Sequence, residues 1–201
     1  MTGDAAGPGR LAWLAGAGAV AGAIIWPIAI ANVAATAIPT GGPGEASDVE
    51  GSMGPLAIAV LLFSAALGAL ECRATSEIGL WDLIGDLSIA TAAVTLALAA
   101  ALGSSDLIGP GFVLLFGGSI IVGATGFAGT RRPRWPSALV AIGAGALVAC
   151  LFLAGALGPA ARDGVTQTAF LSVLFYAVGW GWFGVHLVLA RPLASHPDEQ
   201  P

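Results

Sequence analysis

The sequence predicts an all-α, polytopic integral membrane protein, a bundle of six transmembrane helices in a single domain over residues 1–201. Three observations support this fold class. Hydrophobic residues make up 57% of the chain and charged residues only 9%, whereas soluble domains carry roughly 25% charged residues. Apolar runs long enough to cross a bilayer recur along the chain. The segments between the later runs are too short to hold a soluble domain.

The predicted spans are residues 11–38, 55–72, 80–102, 107–128, 136–157 and 165–190. A membrane helix needs about 20 predominantly apolar residues, so every run except the second exceeds this length. The second run has 18 residues, which still lies within the range for a span. Short segments follow spans three, four and five, so the helices that they join are expected to be antiparallel neighbours.

The first span is longer than the bilayer requires, so we expect it to tilt or to kink at Pro27. A cleaved signal peptide is the alternative, because the small residues from Ala35 to Ala37 resemble a cleavage site. Cleavage would leave five spans. The apolar stretch is much longer than the 7–15 residues usual in a signal peptide, which favours a retained span.

Residues 39–54 are rich in glycine and proline and contain Glu45, Asp48 and Glu50 with no basic residue. This composition predicts a flexible acidic loop between the first and second spans.

Arginine placement predicts that both termini are cytoplasmic. With this orientation the outer segments contain only Arg162. The cytoplasmic segments contain the other six basic residues: Arg10, Arg73, Arg131, Arg132, Arg134 and Arg191. Trp13, Trp81 and Trp135 then lie at cytoplasmic span ends, as expected for an interfacial aromatic belt. We therefore expect a multi-pass protein of the cell membrane.

Small residues recur at a spacing of four in several spans, for example Gly18 and Gly22, or Ser119 and Gly123. This spacing allows helix backbones to approach closely in lipid. It favours packing within the bundle, although the same pattern is found at contacts between copies of a chain or with a partner membrane protein.

Asp82 and Asp86 are the ionisable residues that first indicate a site. They are four residues apart and therefore share one helix face. Asp86 lies about one turn inside the predicted membrane, where a charged side chain is costly and marks a functional site by default. Asp82 also fits the role of a helix cap, because its charge suits the positive end of the helix dipole.

His186 lies at a similar depth near the end of the sixth span. If spans three and six touch, an Asp86–His186 pair is within reach and could relay a proton. The simpler interpretation is that His186 bonds a neighbouring backbone carbonyl. The candidate catalytic residues are therefore Asp86, His186 and Asp82.

Aromatic residues in the sixth span predict an apolar ligand pocket. Trp180 and Trp182 lie near the middle of the span, where an interfacial belt does not explain them, and Phe175 shares a stripe with Trp182. Trp26 and Asn32 in the first span also combine mid-membrane placement with polar groups. Together these side chains could line a cavity for a lipid or a small hydrophobic molecule. The alternative is that the aromatic rings fill gaps beside glycine-rich helices.

No cofactor, metal site or nucleic-acid partner is predicted. Cys72 and Cys150 have no metal-ligand spacing, and the chain has no glycine-rich phosphate loop. Basic residues cluster only in the one short loop that contains Arg131, Arg132 and Arg134. The leading functional interpretation is non-enzymatic binding or transport of a lipid or small hydrophobic solute, or binding of a partner protein. The alternative is a membrane-embedded enzyme that acts on a lipid or isoprenoid with Asp86 as general acid. A structural subunit of a larger complex fits the composition equally well.

Overall fold

A computed structural model of the protein describes residues 8–36, 46–73, 78–129, 132–156 and 162–189. These residues form six α-helices and one short 3-10 turn, Ser105–Leu107, with no strand among them. The helices are α1 Pro8–Thr36, α2 Ala46–Arg73, α3 Leu80–Leu102, α4 Ile108–Ala128, α5 Arg134–Ala156 and α6 Arg162–Leu189. Each contains a segment long and apolar enough to cross a membrane. The prediction of a six-helix membrane bundle is confirmed.

The helices form a closed ring in chain order. Each helix packs against the next one along the chain, and α6 packs against α1, so that the first and last helices are neighbours. The expected pairing of consecutive helices is therefore confirmed, and α2 and α6 also touch. We call the end of the ring that contains Arg132 the arginine end, and the opposite end the far end.

The helix α2 begins earlier than the sequence predicts. It starts at Ala46 and continues through Pro55, so the prediction of a loop is wrong for residues 46–54. Proline removes one hydrogen bond from a helix and crowds the carbonyl four residues earlier, so Pro55 weakens α2 locally without ending it. Residues 39–45 lie outside the described part of the chain. The helix α1 likewise continues through Pro27.

The turn between α3 and α4 depends on one glycine. Gly103 has a φ of 60° and a ψ of 39°, a left-handed conformation that favours glycine. The next amide, Ser104 N–H, donates to Ala99 O at 3.1 Å. The chain can therefore reverse within a few residues and place α4 directly beside α3.

Glycines bring neighbouring helices into backbone contact. A β-carbon added at Gly184 of α6 would lie 2.5 Å from Gly16 O of α1, and one added at Gly16 would lie 2.7 Å from Gly184 O. A β-carbon at Gly143 of α5 would lie 2.6 Å from the backbone nitrogen of Tyr176. Close approach of this kind lets helices pack by dispersion where lipid removes most of the hydrophobic driving force.

We expect Gly184→Ala to destabilise the bundle by about 1–3 kcal/mol, because the new methyl group overpacks the contact that closes the ring. Gly145→Ala is the matched control, since a β-carbon at Gly145 meets no atom within 4 Å. Unfolding of both variants in mixed detergent micelles measures the difference. Equal stability of the two variants would show that the α1–α6 contact tolerates the methyl group.

Candidate functional site

At the arginine end, three carboxylates surround the Arg132 guanidinium group. Nη2 of Arg132 lies 2.6 Å from Glu71 Oε1 and 2.9 Å from each carboxylate oxygen of Asp86. Nε donates a further hydrogen bond to Glu71 Oε1 at 3.2 Å. Nη1 lies 3.3 Å from Asp82 Oδ1 but makes no hydrogen bond among the described residues. We call Arg132, Glu71, Asp82 and Asp86 the arginine cluster.

Three segments of the chain supply this cluster. Glu71 lies in the last turn of α2, Asp82 and Asp86 lie in the first two turns of α3, and Arg132 comes from the turn between α4 and α5. The spacing of four residues places both aspartates on one face of α3, as predicted, and both approach Arg132. The Arg132 side chain is only 1% exposed. The planar guanidinium group can donate in several directions at once. The Arg132 side chain therefore joins α2 and α3 to the turn between α4 and α5.

The structure changes the interpretation of two of these residues. Arg132 was predicted only to lie in a cytoplasmic segment between two spans, and the structure buries it. Asp82 lies in the first turn of α3, as expected, but the N-cap of that helix is Gly79, which provides no side-chain hydrogen bond. The charge of Asp82 still suits the helix dipole, and its specific partner is Arg132.

The structure does not bring His186 to Asp86. The helices α3 and α6 are not neighbours in the ring, and His186 lies on the exposed face of α6. Both carboxylate oxygens of Asp86 accept from Arg132 instead. The condition for a proton-relaying pair, contact between spans three and six, is therefore not met.

The middle of the ring is filled by aromatic side chains from four helices. We call this group the aromatic cluster; its members are Trp26, Phe63, Phe116, Tyr176, Trp180 and Phe183. Phe63 and Trp180 stack with ring centroids 4.7 Å apart and planes 7° apart. Trp26 packs on Tyr176 at 5.0 Å, and Tyr176 meets Phe63 and Phe116 edge to face. Such tilted and edge-on pairs add stability beyond the burial of the rings.

Polar groups of the aromatic cluster form one hydrogen bond, to the neighbouring Ser119, and include two buried indole donors. The hydroxyl groups of Ser119 and Tyr176 are 2.8 Å apart, and both residues are fully buried. The indole Nε1 atoms of Trp26 and Trp180 are buried and make no hydrogen bond among the described residues. The cluster is therefore mainly apolar, with donor groups that are not fully satisfied.

An apolar pocket of about 330 Å³ lies beyond this cluster, towards the far end. It is bounded by α1, α4, α5 and α6, and Phe116 belongs both to the pocket and to the aromatic cluster. The lining residues are Pro27, Ile30, Ala31, Phe112, Phe116, Leu147, Leu151, Ala169, Phe170 and Val173. Every one of these side chains is apolar, so the pocket suits an alkyl or similar group.

The five residues predicted to line a pocket lie in three different environments. Trp26 and Trp180 are fully buried in the aromatic cluster. Phe175 and Trp182 lie on the outer face of α6, with roughly half of each side chain exposed. Asn32 is exposed and follows Ala31, which lines the pocket. The predicted stripe containing Phe175 and Trp182 exists on the helix, but it faces away from the pocket.

Three residues of these clusters were not among the predicted site residues: Arg132, Phe116 and Tyr176. One pattern in the sequence could have indicated the contacts of Arg132. Several carboxylates and an arginine-rich turn were predicted at the same surface of the bilayer. Phe116 and Tyr176 had no comparable signal, because periodicity does not reveal which helix an aromatic residue will meet. Among the described residues, no group of three or more His, Cys, Asp or Glu side chains is arranged to hold a metal ion.

No protein-family model, curated protein or solved structure shows significant similarity to this chain.

Replacement of Arg132 by Met should destabilise the protein by about 3 kcal/mol, because it leaves three partly buried carboxylates close together without their cation. Arg134→Met is the matched control, since Arg134 is exposed in the first turn of α5. Adding Glu71→Gln and Asp86→Asn to the Arg132→Met variant should restore part of the loss. Unfolding in mixed micelles measures all three. If the Arg132 and Arg134 variants are equally stable, the cluster contributes no net stability.

The Ser119–Tyr176 bond can be tested by a double-mutant cycle. Tyr176→Phe and Ser119→Ala should each cost about 1–3 kcal/mol, because each leaves a buried hydroxyl unpaired. The double variant should cost less than the sum of the two. Thr95→Val is a control, since its hydroxyl makes only an exposed bond to Thr91 O within α3. Strict additivity would show that the two hydroxyl groups do not interact.

Proposed function

We propose that this protein is a non-enzymatic protein of the cell membrane that binds a small hydrophobic or amphipathic solute in the pocket at the far end of the ring. The observation that carries the proposal is the pocket itself, a space of about 330 Å³ whose described lining residues are all apolar. Binding sites for small molecules are typically concave, largely apolar and already formed before the ligand arrives.

The size of the pocket indicates the class of solute. Ligand pockets typically measure about 300–1,000 Å³, so a pocket of about 330 Å³ lies at the small end of this range. Such a volume suits a medium-length alkyl chain, a short isoprenoid or one end of a lipid acyl chain. A bulky polar molecule would lose its hydration without gaining hydrogen bonds from these walls.

The lining residues also indicate how a solute would enter. Leu151 and Phe170 belong to the pocket wall, yet more than half of each side chain is exposed. The pocket therefore opens at the surface of the bundle, where lipid chains would surround it. In the orientation predicted from the arginines, this opening lies in the outer half of the membrane.

The geometry gives less support to the enzymatic alternative. Asp86 accepts two hydrogen bonds from Arg132 and does not line the pocket. Its neighbour Gly85 packs against Val122 of α4, which is six residues beyond Phe116 and so about 9 Å further along the helix axis. A general acid has to reach the reacting atoms, and Asp86 lies far from a solute in the pocket.

Transport of the solute would require a further conformation. The aromatic cluster fills the ring between the pocket and the arginine end, and its members are fully or almost fully buried. A solute could therefore leave on the arginine side only if these rings moved. Binding is the function that this conformation supports directly.

A photoreactive probe tests the proposed binding. We expect an alkyl diazirine alcohol of about ten carbon atoms, added to the protein in vesicles, to label the pocket residues of α1, α4, α5 and α6 in a saturable way. Ala169→Phe should fill the pocket and abolish this saturable labelling. Peptide mass spectrometry after illumination locates the label.

Ala149→Phe provides the matched control, because Ala149 is exposed on α5 and does not line the pocket. It should leave the labelling unchanged. Labelling that never saturates, or that is equal in the two variants, would mean that the probe reacts only from the surrounding lipid and would overturn the proposed function.

A further inference from the structure

The unpaired indole group of Trp26 lies next to the pocket. Trp26 precedes Pro27, a lining residue, and its ring meets the ring of Phe116 edge to face at 6.3 Å. Phe116 therefore contacts both the Trp26 ring and the pocket space, while Trp26 is not among the described lining residues. Trp26 is fully buried, and its Nε1 has no hydrogen-bond partner among the described residues.

An unpaired donor in such a place has an energetic consequence. A buried N–H without a partner carries a desolvation penalty, and buried tryptophans usually find an acceptor for this group. The described residues of the pocket wall offer no side-chain acceptor. An acceptor atom that arrived through the pocket would satisfy the donor and recover part of that penalty.

We propose that Trp26 is the polar contact of the binding site, and that its indole N–H donates to an uncharged oxygen of the bound solute while the alkyl part of the solute fills the pocket. This inference rests on the proposed function. It narrows the solute from any small apolar molecule to one with a hydrogen-bond acceptor, such as a ketone, an ester, an ether or an alcohol.

The acceptor reaches Trp26 by displacement of the Phe116 ring. The Trp26 nitrogen is sealed in this conformation, and Phe116 is the side chain shared by the pocket and the aromatic cluster. The proposed contact therefore requires the Phe116 ring to move. Phe112, stacked on Phe116 at 5.6 Å, belongs to the same pocket wall.

The charge distribution favours an uncharged acceptor over a carboxylate. Among the residues that the structure describes, no cationic side chain lines the pocket. The buried cation Arg132 is already surrounded by three carboxylates at the arginine end. A free anion beside Trp26 would therefore lose its hydration and gain only one donor, whereas a neutral oxygen loses much less.

Trp180 provides an internal comparison. Its Nε1 is also buried with no hydrogen bond to a described residue. Its ring neighbours are Phe63, Tyr176 and Phe183, and it is not among the described residues that line the pocket. A solute whose oxygen reaches Trp26 through the pocket should leave the Trp180 N–H unchanged. Trp13, exposed on α1, reports general effects of the solute on the surrounding lipid or detergent.

The test compares two probes of equal shape, 2-octanone and 2-methyl-1-octene, which differ in having a C=O or a C=CH₂ group. Each is titrated into the full-length, ¹⁵N-labelled protein in nanodiscs, and the indole ¹H–¹⁵N signals are assigned with single Trp→Phe variants. We expect the ketone alone to move the Trp26 indole proton downfield, with Trp180 and Trp13 unchanged. The ketone should also bind about three- to tenfold more tightly than the alkene, as expected for one hydrogen bond.

Trp26→Phe then removes the donor and retains an aromatic ring. It should lower the affinity for the ketone to that for the alkene and leave the affinity for the alkene nearly unchanged. If both probes bind equally and no indole signal responds, the role of Trp26 is overturned while the proposed pocket stands. If neither probe binds, the proposed function itself fails.

Discussion

A guanidinium group that is almost completely buried in a membrane protein has to be paired, and the pairing of Arg132 organises one end of this bundle. Its partners come from the end of α2 and the start of α3, while Arg132 itself belongs to the turn that leads into α5. The relative positions of these segments are thus restricted by one side chain. Removing the cation would strand charges that the surrounding apolar helices cannot solvate.

Close packing closes the remainder of the ring. Lipid is as apolar as the helix surfaces, so burial of apolar side chains provides little net attraction between helices. Close approach of the helix backbones provides more of the attraction, through van der Waals packing. The mutual contact of Gly16 and Gly184 joins the first helix to the last. The ring then encloses the aromatic cluster, whose rings separate the pocket from the arginine cluster.

Features that depend on residues close together in the chain could be predicted from the sequence, whereas contacts between distant residues could not. Hydropathy depends on single residues and their neighbours in the chain, so it located six helices and their order around most of the ring. It also placed Asp82 and Asp86 on one face. The contact of Arg132 with Glu71 joins residues 61 positions apart, and the contact of Ser119 with Tyr176 joins residues 57 positions apart. Helical periodicity describes which residues share a face but not which helix that face will meet, so Phe175 and Trp182 were expected in the pocket and lie outside it.

The closed ring has a consequence for how the protein is made. A ribosome delivers the helices in chain order, so Glu71, Asp82, Asp86 and Arg132 are all present in the nascent chain before α6 is synthesised. The ion pairs can therefore form in a five-helix intermediate. The pocket cannot, because Ala169, Phe170 and Val173 arrive only with α6, and the same helix supplies Tyr176 and Trp180. Until then α1 lacks one of its two neighbours, and the side of α1 that α6 later covers remains open to lipid or to a membrane chaperone during insertion.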